Sequence, residues 1–484
     1  MPWFPVVRTL ERKVRAARRH RSNRPKATML LGLYNVLLVL ASPIILLILL
    51  AKRRCRRGLL YRLGVKLPPW PSAGGPAAGS VIWIHAVSLG EVVAVTPLVK
   101  LLHARYPSRP LVVSTVTETG REAVEQRLTG IAVHCYAPLD YSWAVARLIE
   151  RLRPGLYLFV ETELWPNLLT ALAACGVPTV MLNGRISSRS FARQQWPIVR
   201  HVYRFILRRL SLCLMQSDRD AQRIVALGAD SRKVLRTGNI KFDQPPVDLQ
   251  QDRLATLTGW IFRQSSPPVL VAGSTHPGEE EMLISACEEL RKDRPLVLIL
   301  APRHIERTEE IERMLTQRGL SYLRRSRLAK ETAGPAGASE PWVLLLDTRG
   351  ELGAVYHEAA VAFVGGTLAP VGGHNLLEPA AWGKPVLFGP HTDHCEEIAQ
   401  VLESAGGGIR VRTVDQIVEV CRRLLDDPVN LNRVGELARS ALYENQGALE
   451  RSLDAMAEFL EGGPSQIDRM APATCSDRAG SGSR

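Results

Sequence analysis

Residues 361–391 read VAFVGGTLAPVGGHNLLEPAAWGKPVLFGPH. The apolar run VAFV indicates a strand that ends in a glycine pair, NLLEPAAW indicates a helix after a second glycine pair, and PVLFGP begins another strand. Two strands joined through a helix in this way belong to one parallel sheet. The stretch therefore predicts an α/β fold in which helices cover both faces of a parallel sheet.

The same alternation extends from this stretch in both directions. Strand-like runs recur between residues 80 and 239 as SVIWIHA, LVVSTVT, AVHCYAP, LYLFVE, PTVMLNG, SLCLMQS and KVLRTGN, and between residues 268 and 348 as PVLVAGS, PLVLILAPR and WVLLLDT. The segment DQPPVDLQQDR (243–253) interrupts them with proline and polar residues. We therefore expect two doubly wound domains that face a cleft, with ligands at the carboxyl ends of the strands.

These patterns divide the 484 residues into seven expected segments. They are a basic N-terminal extension (1–28), a membrane anchor (29–51), a first Rossmann-like domain (58–243), a linker (244–266), a second Rossmann-like domain (267–428), C-terminal helices (429–461) and a disordered tail (462–484). The glycine- and alanine-rich run AKETAGPAGASEP (329–341) is expected to form a surface loop.

An uncharged apolar run supports the anchor assignment. As a helix, Met29 to Ala51 is about 34 Å long, which is enough to cross the hydrocarbon core of a bilayer. A buried core helix and a cleaved signal peptide are the alternatives, and the length argues against both, since the apolar part of a signal peptide has about 7–15 residues.

The net charge of +15 is concentrated around this run. Residues 1–66 contain sixteen Lys and Arg but a single acid, Glu11, so the remainder of the chain is neutral. The cluster KRRCRR (52–57) is typical of segments that bind anionic headgroups of the cytoplasmic leaflet. We expect a membrane anchor with the body of the protein in the cytoplasm, anionic lipids as partners and no nucleic acid.

The cysteines and histidines do not indicate a metal site. The eight cysteines are scattered without a CxxC pair, which is typical of reduced, structural residues. His374, His391 and His394 lack the HExxH spacing of zinc ligands, and we expect them to cap turns or contact a ligand. No metal and no cofactor are expected.

The second domain presents polar groups after three of its strands. The loop containing Gly366 can offer backbone N–H groups to a phosphate, and Asn375 and Glu378, three residues apart, share one helix face where the carboxylate can accept from ribose hydroxyls. Glu378 as a simple first-turn acid is the open alternative. Ser274 and Thr275 follow another strand, and an N-cap role is their alternative. Arg303 and His304 follow a third strand, and a surface ion pair is the alternative for Arg303.

The first domain places acids at its own strand ends. Glu91 opens the helix after SVIWIHA, where it can complement the helix dipole. Glu161 and Glu163 end another strand, and an N-cap role for the helix at Trp165-Pro166 is their alternative. Arg185 belongs to a basic run that suits phosphate groups, and a solvated basic face would explain the run nearly as well.

Seven stretches together resemble the Kdo (3-deoxy-D-manno-octulosonic acid) transferases of Gram-negative lipopolysaccharide synthesis. They are HAVSLGE, VETELWPNLL, TGNIKFD, GSTHPGEE, APRHIER, GELGAVY and GGTLAPVGGHNLLEPAAWGKPVLFGPH, and they occur in order over nearly the whole chain. The resemblance implies a GT-B glycosyltransferase that transfers Kdo from CMP-Kdo to a lipid A precursor (lipid IVA). It also implies an inverting, metal-independent reaction at the cytoplasmic face of the inner membrane.

The resemblance also implies roles for individual residues. Glu91 of HAVSLGE is implied to be the general base that takes the proton of the acceptor hydroxyl. Arg303 and His304 are implied to bind the CMP phosphate or the Kdo carboxylate. The remaining implied roles fall into two sets. In the donor site these residues are Asn375 and Glu378 at the nucleotide and Gly353 at a close backbone approach; near the acceptor or the transition state they are Lys241, Glu161, Glu163 and Arg185.

Two rival functions remain open from the sequence. One is another GT-B sugar-nucleotide enzyme, such as a UDP-sugar transferase or an epimerase, although an epimerase needs no lipid surface. The other is a membrane-tethered binding protein without catalytic activity, against which the intact Glu91, Arg303 and Glu378 argue.

Overall fold

The computed structural model describes residues 25–51, 58–70, 76–244, 267–327 and 341–461. They fall into two compact units, one comprising the described residues up to Gln244 and from Gln446 onward, the other those between them. The expected linker beyond Gln244, the basic cluster 52–57, the loop 329–340 and the tail 462–484 lie outside the described residues, as does the extension up to residue 24.

The first unit is built on a seven-stranded sheet in the order β3-β2-β1-β4-β5-β6-β7. Every neighbouring pair is parallel. The strands are β1 Val81–His85, β2 Leu111–Thr115, β3 Ala132–Tyr136, β4 Pro154–Val160, β5 Thr179–Gly184, β6 Leu212–Met215 and β7 Val234–Arg236. Alternate residues of β1 enter different cores, with Ile82 and Ile84 on one face and Trp83 on the other, so helices cover both faces.

The helices of the first unit begin where the sequence supplies start signals. Thr117, Ser187 and Ser217 accept backbone N–H groups at helix starts, and Pro166 and Pro197 occupy first-turn positions. The α-helices are Pro25–Ala51, Leu59–Arg62, Leu89–Arg105, Glu118–Arg127, Ser142–Leu152, Pro166–Ala174, Ser188–Gln194, Pro197–Leu207, Asp218–Leu227 and Ala448–Glu461, with 3₁₀ turns at Ser231–Lys233 and Ile240–Asp243.

The C-terminal helix Ala448–Glu461 returns to the first unit and completes one of its cores. Leu453 and Met456 are buried there against the sheet and the helix Leu89–Arg105. Asp243 fixes the start of this helix, because its carboxylate accepts the N–H groups of Gly447 and Leu449, both at 2.6 Å. The two ends of the second unit are therefore joined to adjacent positions in the first.

The second unit contains another seven-stranded parallel sheet, in the order β10-β11-β9-β8-β12-β13-β14. Its strands are β8 Val269–Thr275, β9 Val297–Pro302, β10 Tyr322–Arg324, β11 Val343–Leu345, β12 Val361–Val364, β13 Val386–Phe388 and β14 Gly408–Arg410. Its α-helices are Glu279–Leu290, Thr308–Gln317, Leu352–Val355, Leu377–Ala381, Glu396–Ala405, Val414–Asp426 and Pro428–Glu444, with 3₁₀ turns at Ile305–Arg307, Arg325–Arg327 and Tyr356–Glu358.

The expected α/β architecture of two doubly wound parallel sheets is confirmed. All seven strands expected in the first sheet are present, but the sequence patterns indicated only five of the seven in the second. The two unpredicted strands, Tyr322–Arg324 and Gly408–Arg410, have three residues each and lie at the two edges of the sheet.

One described helix is long and apolar enough to cross a membrane, over Met29–Ala51 with a mean hydropathy of 2.6. None of its described side chains is fully buried against the protein, and Leu40 and Leu47 each expose 69% of their surface. The helix therefore presents an apolar face to its surroundings.

Candidate active site

Glu91 lies in the first turn of the helix Leu89–Arg105, shortly after β1 ends. Ser88 is the N-cap residue, and the Glu91 carboxylate accepts the Val87 N–H at 2.8 Å and the Ser88 hydroxyl at 3.0 Å. This is close to a capping box, in which a residue at this position binds back to the cap. The helix-start alternative to a catalytic role is therefore present in the geometry.

The same carboxyl group has an unusual acidity. Burial, followed by the negative charges of Glu161 and, to a smaller degree, Glu163, raises the pKa of Glu91 to about 7, against the opposing effect of the two hydrogen bonds. A carboxyl group with a pKa near working pH suits general base catalysis. Helix capping and proton acceptance are thus compatible in this residue.

Glu161 and Lys241 complete the cluster. Glu161 directly follows β4 in a left-handed conformation with φ of 58°, a backbone state that is costly for a residue with a side chain. Lys241 Nζ lies 3.3 Å from Glu161 Oε1. Both side chains remain partly exposed, so this pair contributes little to stability and leaves its charges accessible to a ligand.

A buried amide network holds Lys241 in place. Asn239 accepts the Lys241 N–H at 3.0 Å, and Asn183 at the end of β5 accepts the Ile240 N–H at 3.1 Å. Gln216 joins the two, because its amide donates to the Asn183 carbonyl at 3.1 Å and accepts from Asn239 at 3.4 Å. The ends of β5, β6 and β7 therefore determine together where the lysine lies.

Glu163 and Arg185 lie nearby with different neighbours. Glu163 accepts the Trp165 indole N–H at 2.9 Å, and Trp165 is the N-cap residue of the next helix without a side-chain cap. The N-cap alternative for Glu161 and Glu163 is therefore wrong. Arg185 follows β5, and its carbonyl oxygen accepts the hydroxyl of Thr162, which joins the two loops that follow β4 and β5.

His85, the first residue of the HAVSLGE stretch, is a structural residue. It is buried, its Nδ1 lies 2.9 Å from the Ser114 hydroxyl, and its ring meets Trp165 edge to face at 5.7 Å. Burial lowers the pKa of His85 to about 4, so the ring is neutral at pH 7. It links β1 to the loop that carries Glu163.

In the second unit, the glycine loop after β12 is organised around Glu279. This carboxylate, 1% exposed, accepts five backbone N–H groups at 2.8–3.1 Å. The donors are His276, Gly366, Thr367, Leu368 and Ala369. Successive N–H groups of this kind form a nest for an anion, and here the anion belongs to the protein. These amides are consequently not free to bind the phosphate that the glycine pattern predicts for them.

Gly366 has a second role in the loop. Its carbonyl accepts the N–H groups of Gly372 and Gly373 at 3.0 and 2.7 Å, which closes the loop on itself. Gly366 has a φ of 69°, and an added Cβ would lie 3.0 Å from the ring of His374. The loop therefore needs glycine at this position, because a side chain would strain the backbone and crowd the His374 ring.

Three histidine rings lie beside the loop. His276 and His374 stack at 5.1 Å with their Nε2 atoms 2.8 Å apart, and His304 meets His276 edge to face at 5.8 Å. Burial lowers the pKa of His374 to about 4 and also lowers the pKa of His276, and the charge of Arg303 acts in the same direction on both. Both shifts favour the neutral form of these rings, in which one Nε2 atom can donate a hydrogen bond to the other.

The other predicted donor residues lie at the strand ends named from the sequence. Ser274, the next-to-last residue of β8, has a φ of 54°, and the Arg303 N–H after β9 donates to the Thr275 carbonyl at 3.0 Å. Arg303 and His304 are thereby placed beside the histidine rings. Gly353, by contrast, uses its carbonyl to accept the Trp382 indole N–H at 2.7 Å, which anchors that tryptophan.

Asn375 and Glu378 are paired as expected, with Asn375 Nδ2 at 3.1 Å from Glu378 Oε1. Asn375 also accepts the Leu377 N–H at 3.1 Å at the start of the helix Leu377–Ala381. This helix has five residues, so its dipole is a weak source of anion binding. The side chains are therefore the stronger recognition elements here.

Sequence reasoning missed the role of Glu279 in this site, and it expected His374 to cap a turn or contact a ligand without pairing its ring with that of His276. By itself the run GEEE indicates only a first turn of acids, and it does start the helix Glu279–Leu290. The available signal was the neighbouring glycine loop, whose amide groups require an acceptor. No sequence spacing connects Glu279 to residues about ninety positions later.

Comparisons with known proteins identify the family. Residues 58–244 match the family model described as 3-deoxy-D-manno-octulosonic-acid transferase (kdotransferase). A 3-deoxy-D-manno-octulosonic acid transferase of Haemophilus influenzae is 35% identical over 435 residues, covering 88% of this chain and 98% of the relative.

Two solved structures share the fold. A glycosyltransferase from Rickettsia africae has a TM-score of 0.53 at 12% identity and covers 79% of this chain and 99% of its own. UDP-GlcNAc 2-epimerase from Neisseria meningitidis bound to UDP-GlcNAc has a TM-score of 0.55 at 14% identity, with 78% and 99% covered. At these identities the likeness shows the GT-B fold alone, whereas the identity to the transferase extends over nearly the whole chain. The chain belongs to the 3-deoxy-D-manno-octulosonic-acid transferase family, and it is a glycosyltransferase.

Proposed function

We propose that this enzyme transfers Kdo from CMP-Kdo to a lipid A precursor, lipid IVA, with inversion at the anomeric carbon and Glu91 as the general base. The observation that carries the proposal is the pKa of about 7 that burial and neighbouring acids give to Glu91, in the HAVSLGE stretch that resembles the family motif. The family membership supports Kdo as the transferred sugar, and the geometry around Glu91 supports its role as the base.

The proposed step is a single displacement. The acceptor hydroxyl oxygen attacks the anomeric carbon of Kdo while its proton passes to the Glu91 carboxylate. The bond from that carbon to the CMP phosphate oxygen breaks, and the electron pair leaves with CMP. A direct displacement inverts the configuration, and no covalent enzyme intermediate is required.

Neighbouring residues adjust this base. Glu161 raises the pKa of Glu91, while Lys241, 3.3 Å from Glu161, limits that effect and offers a positive charge to negative charge that develops during transfer. Glu163 and Arg185, on the loops after β4 and β5, are proposed to meet the acceptor glucosamine and the lipid phosphates respectively.

The second unit is proposed to hold CMP-Kdo. Arg303 and His304 suit the phosphate or the Kdo carboxylate, since guanidinium and imidazole groups donate to anionic oxygens. Asn375 and Glu378 are proposed to bind the ribose. Ser274 and Thr275 at the end of β8, Gly366 after β12 and Gly353 in the helix Leu352–Val355 are proposed to complete the donor site. Because Glu279 neutralises the glycine loop's amides internally, side-chain cations carry the recognition of the donor's charges.

The apolar helix at Met29–Ala51 is proposed to attach the enzyme to the cytoplasmic face of the inner membrane, where a lipid acceptor is available. The basic residues on both sides of that helix favour anionic lipid headgroups. A soluble sugar-nucleotide epimerase has no use for such an attachment.

The test is Kdo transfer to tetraacyl lipid A precursor, with CMP-Kdo generated in situ and EDTA present. We expect product from the wild type, a loss of at least 100-fold in Glu91→Gln, and far smaller loss in a matched control, Glu122→Gln, an acid in the helix Glu118–Arg127 of the same unit. A Glu91→Gln variant that retains wild-type turnover would exclude the proposed base. Absence of wild-type product with CMP binding intact would exclude the proposed acceptor.

A further inference from the structure

The helix Pro25–Ala51 carries polar residues that bind the first unit. The Tyr34 hydroxyl donates to Asp140 at 2.9 Å. Asn35 and Asn167 exchange two amide hydrogen bonds, at 3.1 and 2.7 Å. Farther along, the hydroxyls of Ser42 and Tyr141 lie 2.6 Å apart.

The receiving surface is a built site. Asp140 is 7% exposed, and it accepts the backbone N–H groups of Asn167 and Leu168, each at 2.9 Å, in addition to the Tyr34 hydroxyl. Leu30 and Leu31 pack against the adjoining hydrophobic core. The helix is therefore docked on the body over residues 30–42.

These contacts lie in the first half and middle of the helix, away from Ala51, where the chain continues into the folded body. The chain leaves the helix at Ala51 and is already part of the body at Gly58, which contacts the ring of Tyr136. Arg62 follows, 3% exposed. A helix that projected from the body into a bilayer would contact the body near Ala51, but the contacts lie in its first half and middle.

The remaining length is too short for a crossing. Tyr34 to Ser42 spans about 12 Å of helix, all of it held against the folded body. From Ser42 to Ala51 about 13 Å remains, less than half of the roughly 30 Å hydrocarbon core. A full crossing would require the docked half, with Asp140 and the Asn35–Asn167 pair, to lie at hydrocarbon depth together with the body.

The face of the helix that points away from the body is apolar. Its residues expose between 56% and 69% of their surface, and they are Leu33, Val36, Leu37, Leu40, Ile44 and Leu47. A continuous apolar face of this size on a docked helix fits lipid acyl chains. Eight Lys and Arg residues precede the helix within 1–24, and five follow it within 52–57. Since cytoplasmic flanks carry the Lys and Arg excess, both flanks indicate the same side.

We propose that this helix lies along the first unit and inserts its outer face into the cytoplasmic leaflet, with both of its ends on the cytoplasmic side. The enzyme is then monotopic: it enters one leaflet without crossing the bilayer. The docked helix holds the first unit directly at the membrane surface. This inference rests on the proposed membrane attachment. The experiment below tests the attachment and the position of the helix by separate measurements.

The experiment uses two tagged forms of the full chain, one with an epitope tag before Met1 and the other with the tag after Arg484. Intact and lysed spheroplasts are treated with protease after membranes have been shown to retain the enzyme through a carbonate wash. We expect both tags to survive in intact spheroplasts and to be cleaved only after lysis. A helix that crosses with a cytoplasmic body predicts cleavage of the N-terminal tag alone in intact spheroplasts, and that result would overturn the inference while leaving membrane attachment intact.

Other outcomes concern the attachment or the docking. Release of the enzyme by carbonate would contradict the proposed attachment itself. For the docking, melting temperatures of Asn35→Ala, Asn167→Ala and the double variant are compared in detergent or vesicles. We expect the double variant to lose clearly less than the sum of the single losses, whereas Leu37→Ala with Asn167→Ala is additive. Additivity for both pairs would show that the helix is not docked in the membrane-bound enzyme.

Discussion

Glu91 carries a testable signature in the pH dependence of transfer. Because the base acts only when ionised, kcat/KM is expected to fall as the pH drops below about 7, with a slope that approaches one proton. An ordinary exposed glutamate would produce this fall between pH 4 and 5. A profile that is flat from pH 8 to pH 5 would contradict the assignment.

The same shift predicts a stability effect of defined sign. The pKa of Glu91 is higher in the folded than in the unfolded chain, so its ionisation costs folding free energy as the pH rises from about 4.5 to about 7. Glu91→Gln should therefore gain stability relative to the wild type over that range, on the order of 1–3 kcal/mol. Melting temperatures at pH 5 and pH 8 measure this difference, and a difference that is constant between them would refute it.

Lys241 is expected to adjust that acidity. Lys241→Met leaves the charge of Glu161 uncompensated beside Glu91, so the acid limb of kcat/KM should move to higher pH, by several tenths of a unit. The matched control is Lys233→Met, a lysine of the same unit whose Nζ donates to the Leu210 carbonyl. Equal shifts in both variants would indicate a general charge effect.

Glu279 is expected to govern donor binding through the glycine loop. In Glu279→Gln an amide NH₂ replaces one acceptor oxygen and faces backbone N–H groups, so the loop loses its form. We expect KM for CMP-Kdo to rise at least tenfold, with a smaller change in kcat and a lower melting temperature. Glu281→Gln, on the exposed side of the same first turn, serves as the control. A wild-type KM in Glu279→Gln would exclude the positioning role.

The residue scale also shows what sequence reasoning can supply. Glu91, Glu161 and Lys241 do meet, because parallel strands bring their carboxyl ends to one edge. The internal partner of the glycine loop was not predictable, since Glu279 and Gly366 belong to different strand-helix connections and neither spacing nor charge links them.

At the scale of elements, the start of the helix Ala448–Glu461 depends on one distant carboxylate. Asp243→Ala removes both acceptors at Gly447 and Leu449, and we expect a loss of about 1–2 kcal/mol of stability. Denaturant unfolding measures the loss. Asp454→Ala, later in the same helix, is the control and should change stability much less. Equal effects would show that Asp243 does not cap the helix.

Elements also differ in how well the sequence predicts them. The buried strands, such as β1 and β9, are continuous apolar runs that any reading of periodicity finds. The edge strands Tyr322–Arg324 and Gly408–Arg410 form because a neighbouring strand offers them hydrogen-bond partners, and that information is not local. The return of the last helix to the first unit is likewise a tertiary fact.

At the scale of the whole molecule, the helix Ala448–Glu461 is expected to stabilise the first unit without affecting the stability of the second. Leu453→Ala creates a cavity in a core of the first unit, with an expected cost of about 2–5 kcal/mol. Hydrogen exchange should accelerate in β1 and β4 while β8 and β9 in the second unit keep their protection. Equal acceleration in both sheets would mean that the units unfold together.

The path of the chain has a consequence for synthesis. All strands of the first unit, and all of its described helices but one, have been translated when the ribosome reaches Gln244. The remaining helix, which completes one of its cores, follows roughly 200 residues later. At about 5–20 residues per second the ribosome needs on the order of 10–40 s to reach it. During this interval the second unit is synthesised, while the core of the first unit still lacks Leu453 and Met456. The unit whose synthesis begins first therefore receives its last core helix only after the whole second unit has been translated.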